Sequence, residues 1–157
     1  MYRSVSTLYH RLIGDKRGTS ALEFAFVAPV LFLLLLGIVQ FGLTINNYEM
    51  LTGGTQAAAR QFALSRGSAT PSSSTTNALY NAAPNLTQAK LSIKLSVNGV
   101  QCSAGGTAGD SSCQTALSAG QGKPATVSAS YPCNLSFFGY DFASPCTLTS
   151  QMTESVE

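Results

Sequence analysis

An uninterrupted apolar segment near the start of the chain is the strongest pattern in the sequence. From Phe24 to Leu43 no side chain carries a charge, and Gln40 is the one strongly polar residue. A helix needs roughly 20 residues to cross the hydrocarbon core of a bilayer, which is about the length of this segment. We therefore predict a transmembrane helix over about residues 24–43.

Helical character continues past the apolar segment, and we assign residues 19–66 to one N-terminal helix. Gly53 and Gly54 weaken it by about 1 kcal/mol each relative to alanine. The sequence therefore leaves open either a bend at the two glycines or one continuous helix. An alanine-rich face is predicted to pack against the rest of the protein, and its members are Ala57, Ala58, Ala59 and Ala63.

Beyond residue 66 the composition changes twice. Residues 67–76 consist of Gly, Ser, Ala, Thr and Pro, which predicts a linker with too little apolar surface to order itself. Residues 77–157 form the remaining domain, in which a short helix over 77–83 precedes three candidate strands.

The clearest strand alternates strictly between apolar and polar residues. Its apolar positions are Leu91, Ile93, Leu95 and Val97. This period of two is typical of a half-buried strand, and the following Asn98-Gly99 pair predicts a turn. Weaker alternation marks strands over 126–131 and 146–152. The predicted fold class is α+β, with a long N-terminal helix followed by a small antiparallel β domain.

The charges are few, but their distribution predicts an orientation in the membrane. The net charge of +2 gives no reason to expect a nucleic-acid partner. Four basic residues precede the apolar segment against one acid, Asp15, and these are Arg3, Arg11, Lys16 and Arg17. By the positive-inside rule, the N-terminus stays in the cytoplasm and the chain after about Leu43 is exported. A conventional signal peptide is a weaker interpretation, because its apolar region usually spans only about 7 to 15 residues.

The four cysteines all follow the apolar segment. In an oxidising compartment they predict two disulfides, and sequence alone does not separate the three possible pairings. We favour the pairing that closes two local loops, Cys102 with Cys113 and Cys133 with Cys146. A four-cysteine zinc site is disfavoured because no CxxC motif occurs.

No catalytic group, metal ligand set or cofactor motif is predicted. The one histidine, His10, precedes the apolar segment, so the exported part contains no Ser-His-Asp or Cys-His arrangement. We interpret the later acids as solvated, and these are Asp110, Asp141, Glu154 and Glu157. The aromatic residues of segment 137–142 are expected to fill the interior of the Cys133–Cys146 loop. An enzyme is therefore not expected.

A single carboxylate stands at the edge of the apolar segment. Glu23 lies five residues after Gly18, which the basic pair Lys16-Arg17 precedes directly. A charged side chain near hydrocarbon is costly, so a partner should neutralise it. This order of residues is the arrangement of class III signal peptides, in which a membrane peptidase cuts after the glycine. A cut after Gly18 makes Thr19 the new N-terminus and places Glu23 at the fifth mature position.

The N-terminal run GTSALEFAFVAPVLFLLLLGIVQFG resembles the signature of the TadE-like family, the minor pseudopilins of bacterial tight-adherence pilus systems. The resemblance rests on Gly18, on the Glu23-Phe24 pair, on Pro29 inside the helix and on the closing Gln40-Phe41-Gly42. It covers about the first third of the chain. Beyond Arg66 only the general plan is similar.

The resemblance implies a minor pilin or pseudopilin rather than an enzyme. Residues 1–18 would be a cytoplasmic leader that a prepilin peptidase removes, and residues 77–157 an exported periplasmic domain. The helix would contact other pilin subunits in the inner membrane, where Glu23 and Phe24 set the register, and assembly would carry the protein to the cell surface. An uncleaved single-pass component of the assembly machine, or an adhesin-like surface protein, is the alternative.

Overall fold

The computed structural model describes residues 17–133, 136–137, 140–141 and 145–157, with side chains over 20–133 and 145–157. Of the predicted leader, residues 1–16 lie outside the described residues. The chain divides into two compact units, Met1–Phe41 and Gly42–Glu157. The first unit contributes the beginning of the N-terminal helix, and the second holds all the other described elements.

The N-terminal helix, α1, runs without interruption from Arg17 to Leu64 and contains Pro29. It passes through Gly53 and Gly54, so the continuous helix is the correct one of the two alternatives. In the second unit α1 is stabilised by burial of one face, which outweighs the low helix propensity of the glycines. The buried residues recur every three to four positions: Leu51, Thr55, Ala58, Ala59, Phe62 and Ala63.

The predicted alanine-rich packing face is correct for three of its four members. Ala58, Ala59 and Ala63 are buried, whereas Ala57 is exposed. Each residue of a helix is rotated by about 100° from the one before it, so Ala57 and Ala59 point about 200° apart and cannot share one face. Ala57 therefore belongs to the solvent side of α1.

Helix α2, Pro71–Ala82, begins inside the segment that we predicted as a linker. Residues 71–76 are its first half, so the linker prediction was wrong there. The helix buries Ser72, Thr75 and Thr76 although they are polar, because their hydroxyls have partners. Thr75 Oγ1 donates to Pro71 O at 2.7 Å and Thr76 Oγ1 to Ser72 O at 2.8 Å. With these bonds made, the side chains can be buried without an unsatisfied polar group.

After a 3₁₀ turn at Gln88–Lys90 come four strands of one sheet: β1 spans Ser92–Val97, β2 Val100–Cys102, β3 Pro124–Pro132 and β6 Thr147–Ser155. They are antiparallel and lie in the order β2-β1-β3-β6. Between β3 and β6, the short strands β4, Ser136–Phe137, and β5, Tyr140–Asp141, pair with each other in a separate sheet.

The predicted alternation of β1 is confirmed by its burial. Leu95 and Val97 are buried, Ile93 is half-buried, and the intervening Lys94 is exposed. The predicted turn is present between β1 and β2, where Asn98 and Gly99 have φ values of 50° and 82°. Two consecutive left-handed residues match a two-residue hairpin turn, for which Asn-Gly is the preferred sequence.

Helix α3, Gly106–Ser118, lies between β2 and β3 in the chain. The segment between Cys102 and Cys113, which the sequence predicts as a local loop, is therefore helical from Gly106 onward. Cys113 and Leu117 on α3 are fully buried. They join a core formed by α1, α2 and the inner face of the sheet, which includes Phe62, Leu79 and Val127. The predicted α+β class is thus confirmed.

Candidate assembly site on the N-terminal helix

The residues that the sequence singles out for processing and assembly all lie at the beginning of α1. Gly18, Thr19, Glu23 and Phe24 are within its first two turns, since the helix starts at Arg17. Glu23 follows Thr19 by four residues, which places it one helical turn further along the same side. Both Glu23 and Phe24 are exposed.

The part of α1 that follows Glu23 exposes an unusual amount of apolar surface. Phe24 is 68% exposed, Phe26 75% and Ile38 68%. An 18-residue window of this helix has a mean hydropathy of 2.6, and none of that window is buried. A soluble monomer rarely exposes so large a continuous apolar surface. The helix is long and apolar enough to cross a membrane, and it indicates that the protein associates with one.

The two disulfides lie in the second unit. Cys102 is bonded to Cys113 and Cys133 to Cys146, with Cα–Cα distances of 5.1 and 5.2 Å. The first bond joins the end of β2 to the middle of α3, and the second joins the residue after β3 to the residue before β6. These are the local pairings that we favoured over the other two.

The fold and these features define a membrane-associated protein with an N-terminal apolar helix and a small, disulfide-crosslinked α+β domain. Residues 18–60 match the model of the TadE-like protein family, so the resemblance seen in the sequence is confirmed over that segment. Among curated proteins and among solved structures, no significant match is found. The family match indicates a structural component associated with a tight-adherence pilus system.

Asp110 is a residue whose role the sequence did not reveal. We interpreted it as solvated, but it lies on α3 and is only 6% exposed. Its Oδ1 accepts a hydrogen bond from the Ser73 amide at 2.8 Å, and its Oδ2 accepts one from Ser73 Oγ at 2.7 Å. Ser73 is the third residue of α2, whose N-cap residue, Thr70, makes no capping bond with its own side chain. Asp110 therefore caps α2 from another helix.

A close approach between α3 and the start of α2 makes this cap possible. A Cβ atom on Gly109 would lie 2.6 Å from Ser103 O and 3.0 Å from Ser72 Oγ. Ser72 Oγ in turn donates to Ser103 O at 2.9 Å and accepts from the Gly105 amide. Pro71 is the local signal for this helix start, because proline is favoured at the first helical position.

The cap predicts how stability depends on pH. The Ser73 hydroxyl and then the Ser73 amide lower the pKa of Asp110 below its ordinary value of 3.8. Because folding lowers this pKa, the carboxylate stabilises the folded state at neutral pH, and the stabilisation is lost as the pH falls through the folded-state pKa. We expect Asp110→Asn to lower the Tm by a few degrees at pH 7 and the difference from the parent to narrow below about pH 4.

Thermal unfolding of the detergent-solubilised chain, followed by near-ultraviolet circular dichroism from pH 7 to pH 3, measures this effect. Ser111→Ala, at an exposed position next to Asp110 on α3, is the matched control and should unfold like the parent at every pH. A constant difference between Asp110→Asn and the parent across this range would contradict the assigned role.

The acidic residues of the described part of the chain are scattered. No group of three or more His, Cys, Asp or Glu residues within them is placed to hold a metal ion. Glu154 and Glu157 are exposed, as expected for solvated acids. The predicted aromatic filling of the Cys133–Cys146 loop and the side chain of Asp141 lie outside the described side chains.

Proposed function

We propose that this chain is a minor pilin or pseudopilin that takes part in assembling or priming a tight-adherence pilus. The observation that carries the proposal is the family match over residues 18–60. That segment begins at the glycine of the proposed cleavage site and contains both Glu23 and the exposed apolar part of α1. It leaves out most of the second unit, so the proposed role depends on the helix rather than on the α+β domain.

Processing after Gly18 explains why a carboxylate stands at the beginning of an apolar helix. Cleavage by a prepilin peptidase creates a positively charged α-amino group at Thr19. Glu23 of an adjacent subunit would pair with this group, and the pairing would offset the desolvation of both charges in the bilayer. Since each subunit would have one such amine and one such carboxylate at the beginning of its apolar helix, the pair would set the register between neighbouring helices.

The orientation that we propose places residues 1–18 in the cytoplasm and the second unit in the periplasm, with α1 held in the inner membrane. The excess of basic residues before the apolar segment supports this orientation. The two disulfides support it independently, because disulfides persist in oxidising compartments and are rare in the cytosol.

The N-terminus of the protein isolated from its native host tests the processing step. We expect the mature chain to begin at Thr19. The variant Gly18→Val should keep the leader and migrate as the longer form, which provides the control. A native chain that still begins at Met1 would contradict processing and would favour an uncleaved single-pass component of the assembly machine.

A further inference from the structure

The turn between β1 and β2 places an asparagine directly before a glycine at the surface. Asn98 and Gly99 are both exposed, with φ values of 50° and 82°. The backbone amide of Asn98 donates to Pro124 O at 2.8 Å, but no described residue bonds to the side chain of Asn98 or to the backbone amide of Gly99. The side-chain amide of Asn98 and the backbone nitrogen that follows it are therefore both available for reaction.

These two groups can react with each other within the chain. When the backbone nitrogen of one residue attacks the side-chain carbonyl carbon of the asparagine before it, a succinimide ring closes. Such intramolecular reactions are favoured because the two groups do not have to meet from separate molecules. Glycine has no Cβ atom to hinder the approach of its nitrogen, and its backbone adopts conformations that other residues avoid.

The surroundings of the turn leave room for the rotation that the attack needs. A Cβ atom placed on Gly99 would meet nothing within 4 Å, so no neighbouring group obstructs the turn. The strand that follows, β2, lies at the edge of the sheet and pairs with β1 over three residues. Val100, its first residue, is 63% exposed. A short edge strand with so few buried contacts opens locally at low cost.

We propose that Asn98 is a self-modification site, at which the chain converts this asparagine to aspartate or isoaspartate. The Gly99 nitrogen forms a bond to Asn98 Cγ, and the bond from Cγ to Nδ2 breaks. The proton of the Gly99 amide passes to the leaving nitrogen, which departs as ammonia. Water then opens the succinimide. Opening at Cγ gives aspartate, and opening at the backbone carbonyl carbon of residue 98 gives isoaspartate.

The two products have different effects on the hairpin. Aspartate keeps the original backbone and tolerates a left-handed conformation as asparagine does, so it retains the turn. Isoaspartate carries the chain through its side chain, which adds a methylene group to the backbone. The length of a two-residue turn fixes the register of its strands, so this insertion disrupts their pairing. The affected pairs include Leu95↔Cys102, next to the disulfide that joins β2 to α3.

Asn85 is a matched internal control for the reaction. It is exposed and lies in a turn, as Asn98 does, but the residue after it is Leu86. The Leu86 side chain is only 5% exposed, and its backbone amide donates to Ala83 O at 3.1 Å. The nitrogen that would attack Asn85 is therefore both hindered and hydrogen-bonded. Asn98 is the one asparagine of the sequence that precedes a glycine.

Peptide mapping by mass spectrometry, after incubation of the full detergent-solubilised chain at mildly alkaline pH, tests the modification. We expect conversion of amide to acid to be about tenfold faster at Asn98 than at Asn85, with isoaspartate among the products at position 98. Asn98→Gly keeps a residue that adopts a left-handed conformation and removes the amide, so its turn peptide should not change in mass. Equal rates at Asn98 and Asn85 would overturn the proposal.

Hydrogen exchange tests the effect on the hairpin. In the isoaspartate form, separated from the parent by chromatography, the β2 amides should exchange about tenfold faster than in the parent. Freshly purified Asn98→Asp should exchange like the parent, because its backbone is unchanged. Asn98→Gly incubated for the same time is the control for damage elsewhere. Unchanged protection of β2 in the isoaspartate form would contradict the proposed disruption.

This inference goes beyond the proposed function and does not depend on it. The turn lies in the second unit, and the reaction requires neither cleavage after Gly18 nor a second subunit. A native chain that begins at Met1 would leave the modification of Asn98 untouched, and an unreactive Asn98 would leave the pilin proposal untouched.

Discussion

Replacing Glu23 with alanine is expected to leave membrane insertion intact and to abolish pilus assembly. Insertion should not suffer, because the substitution removes a charge from the edge of the apolar segment, where a charge is costly. Assembly should fail because the α-amino group of Thr19 on the neighbouring subunit loses the carboxylate that neutralises it. That amine would then be desolvated without a partner, which is strongly unfavourable. The measurements are the amount of protein in the membrane fraction and the amount of sheared pili.

Two variants separate the charge of Glu23 from its size. Glu23→Gln keeps the shape of the side chain and removes the charge, so it should fail as completely as Glu23→Ala. Glu154→Ala removes an exposed carboxylate from β6 and should assemble normally. Normal piliation of the alanine variant would remove the register role that we give to Glu23.

Removal of the Cys102–Cys113 disulfide, as the double variant Cys102→Ala and Cys113→Ala, is expected to destabilise the second unit by about 3 kcal/mol. The crosslink closes a loop with a sequence separation of 11, which limits the entropy of the unfolded chain. It also ties α3 to β2, and α3 holds Asp110 one turn before Cys113. We therefore expect the pH dependence caused by Asp110 to weaken in the same variant.

The second disulfide is a matched control for that experiment. Cys133 and Cys146 have a sequence separation of 13, so their removal has a similar cost in loop entropy. They do not lie on α3, and the contribution of Asp110 should remain. Thermal unfolding of both double variants, each with and without Asp110→Asn, gives the coupling as a double-mutant cycle. Equal coupling in the two variants would show that the first disulfide does not position the cap.

The elements that the sequence predicted correctly are those that depend on residues within the same short segment of the chain. The apolar segment after Phe24 predicts a long helix from its composition, and β1 is evident because its apolar residues alternate. The turn at Asn98-Gly99 depends only on its own two residues. The proposed roles of Gly18 and Glu23 also depend on spacing within one short segment, and they stay predictions.

The elements that the sequence did not predict are stabilised by distant residues. The first half of α2 contains Ser and Thr in place of an apolar pattern, and Asp110 caps it from 37 residues away. The start of α3 is rich in Gly and Ser and is held by the Cys102–Cys113 disulfide and by the bonds from Ser73 on α2 to Asp110. Composition predicts loops for both segments, because it contains no information about these tertiary partners.

The exposure of Ala57 was also out of reach of the sequence. Ala57 could be assigned to the solvent side only once the structure had shown that Leu51 and Phe62 define the buried side of α1.

The cap supplied by Asp110 also makes the stability of α2 depend on a later part of the chain. Until position 110 has reached the same side of the membrane, the first turn of α2 lacks this acceptor, and its helix is less stable by about 1 kcal/mol. The hairpin of β1 and β2 has no such dependence, because its two strands are adjacent in the chain.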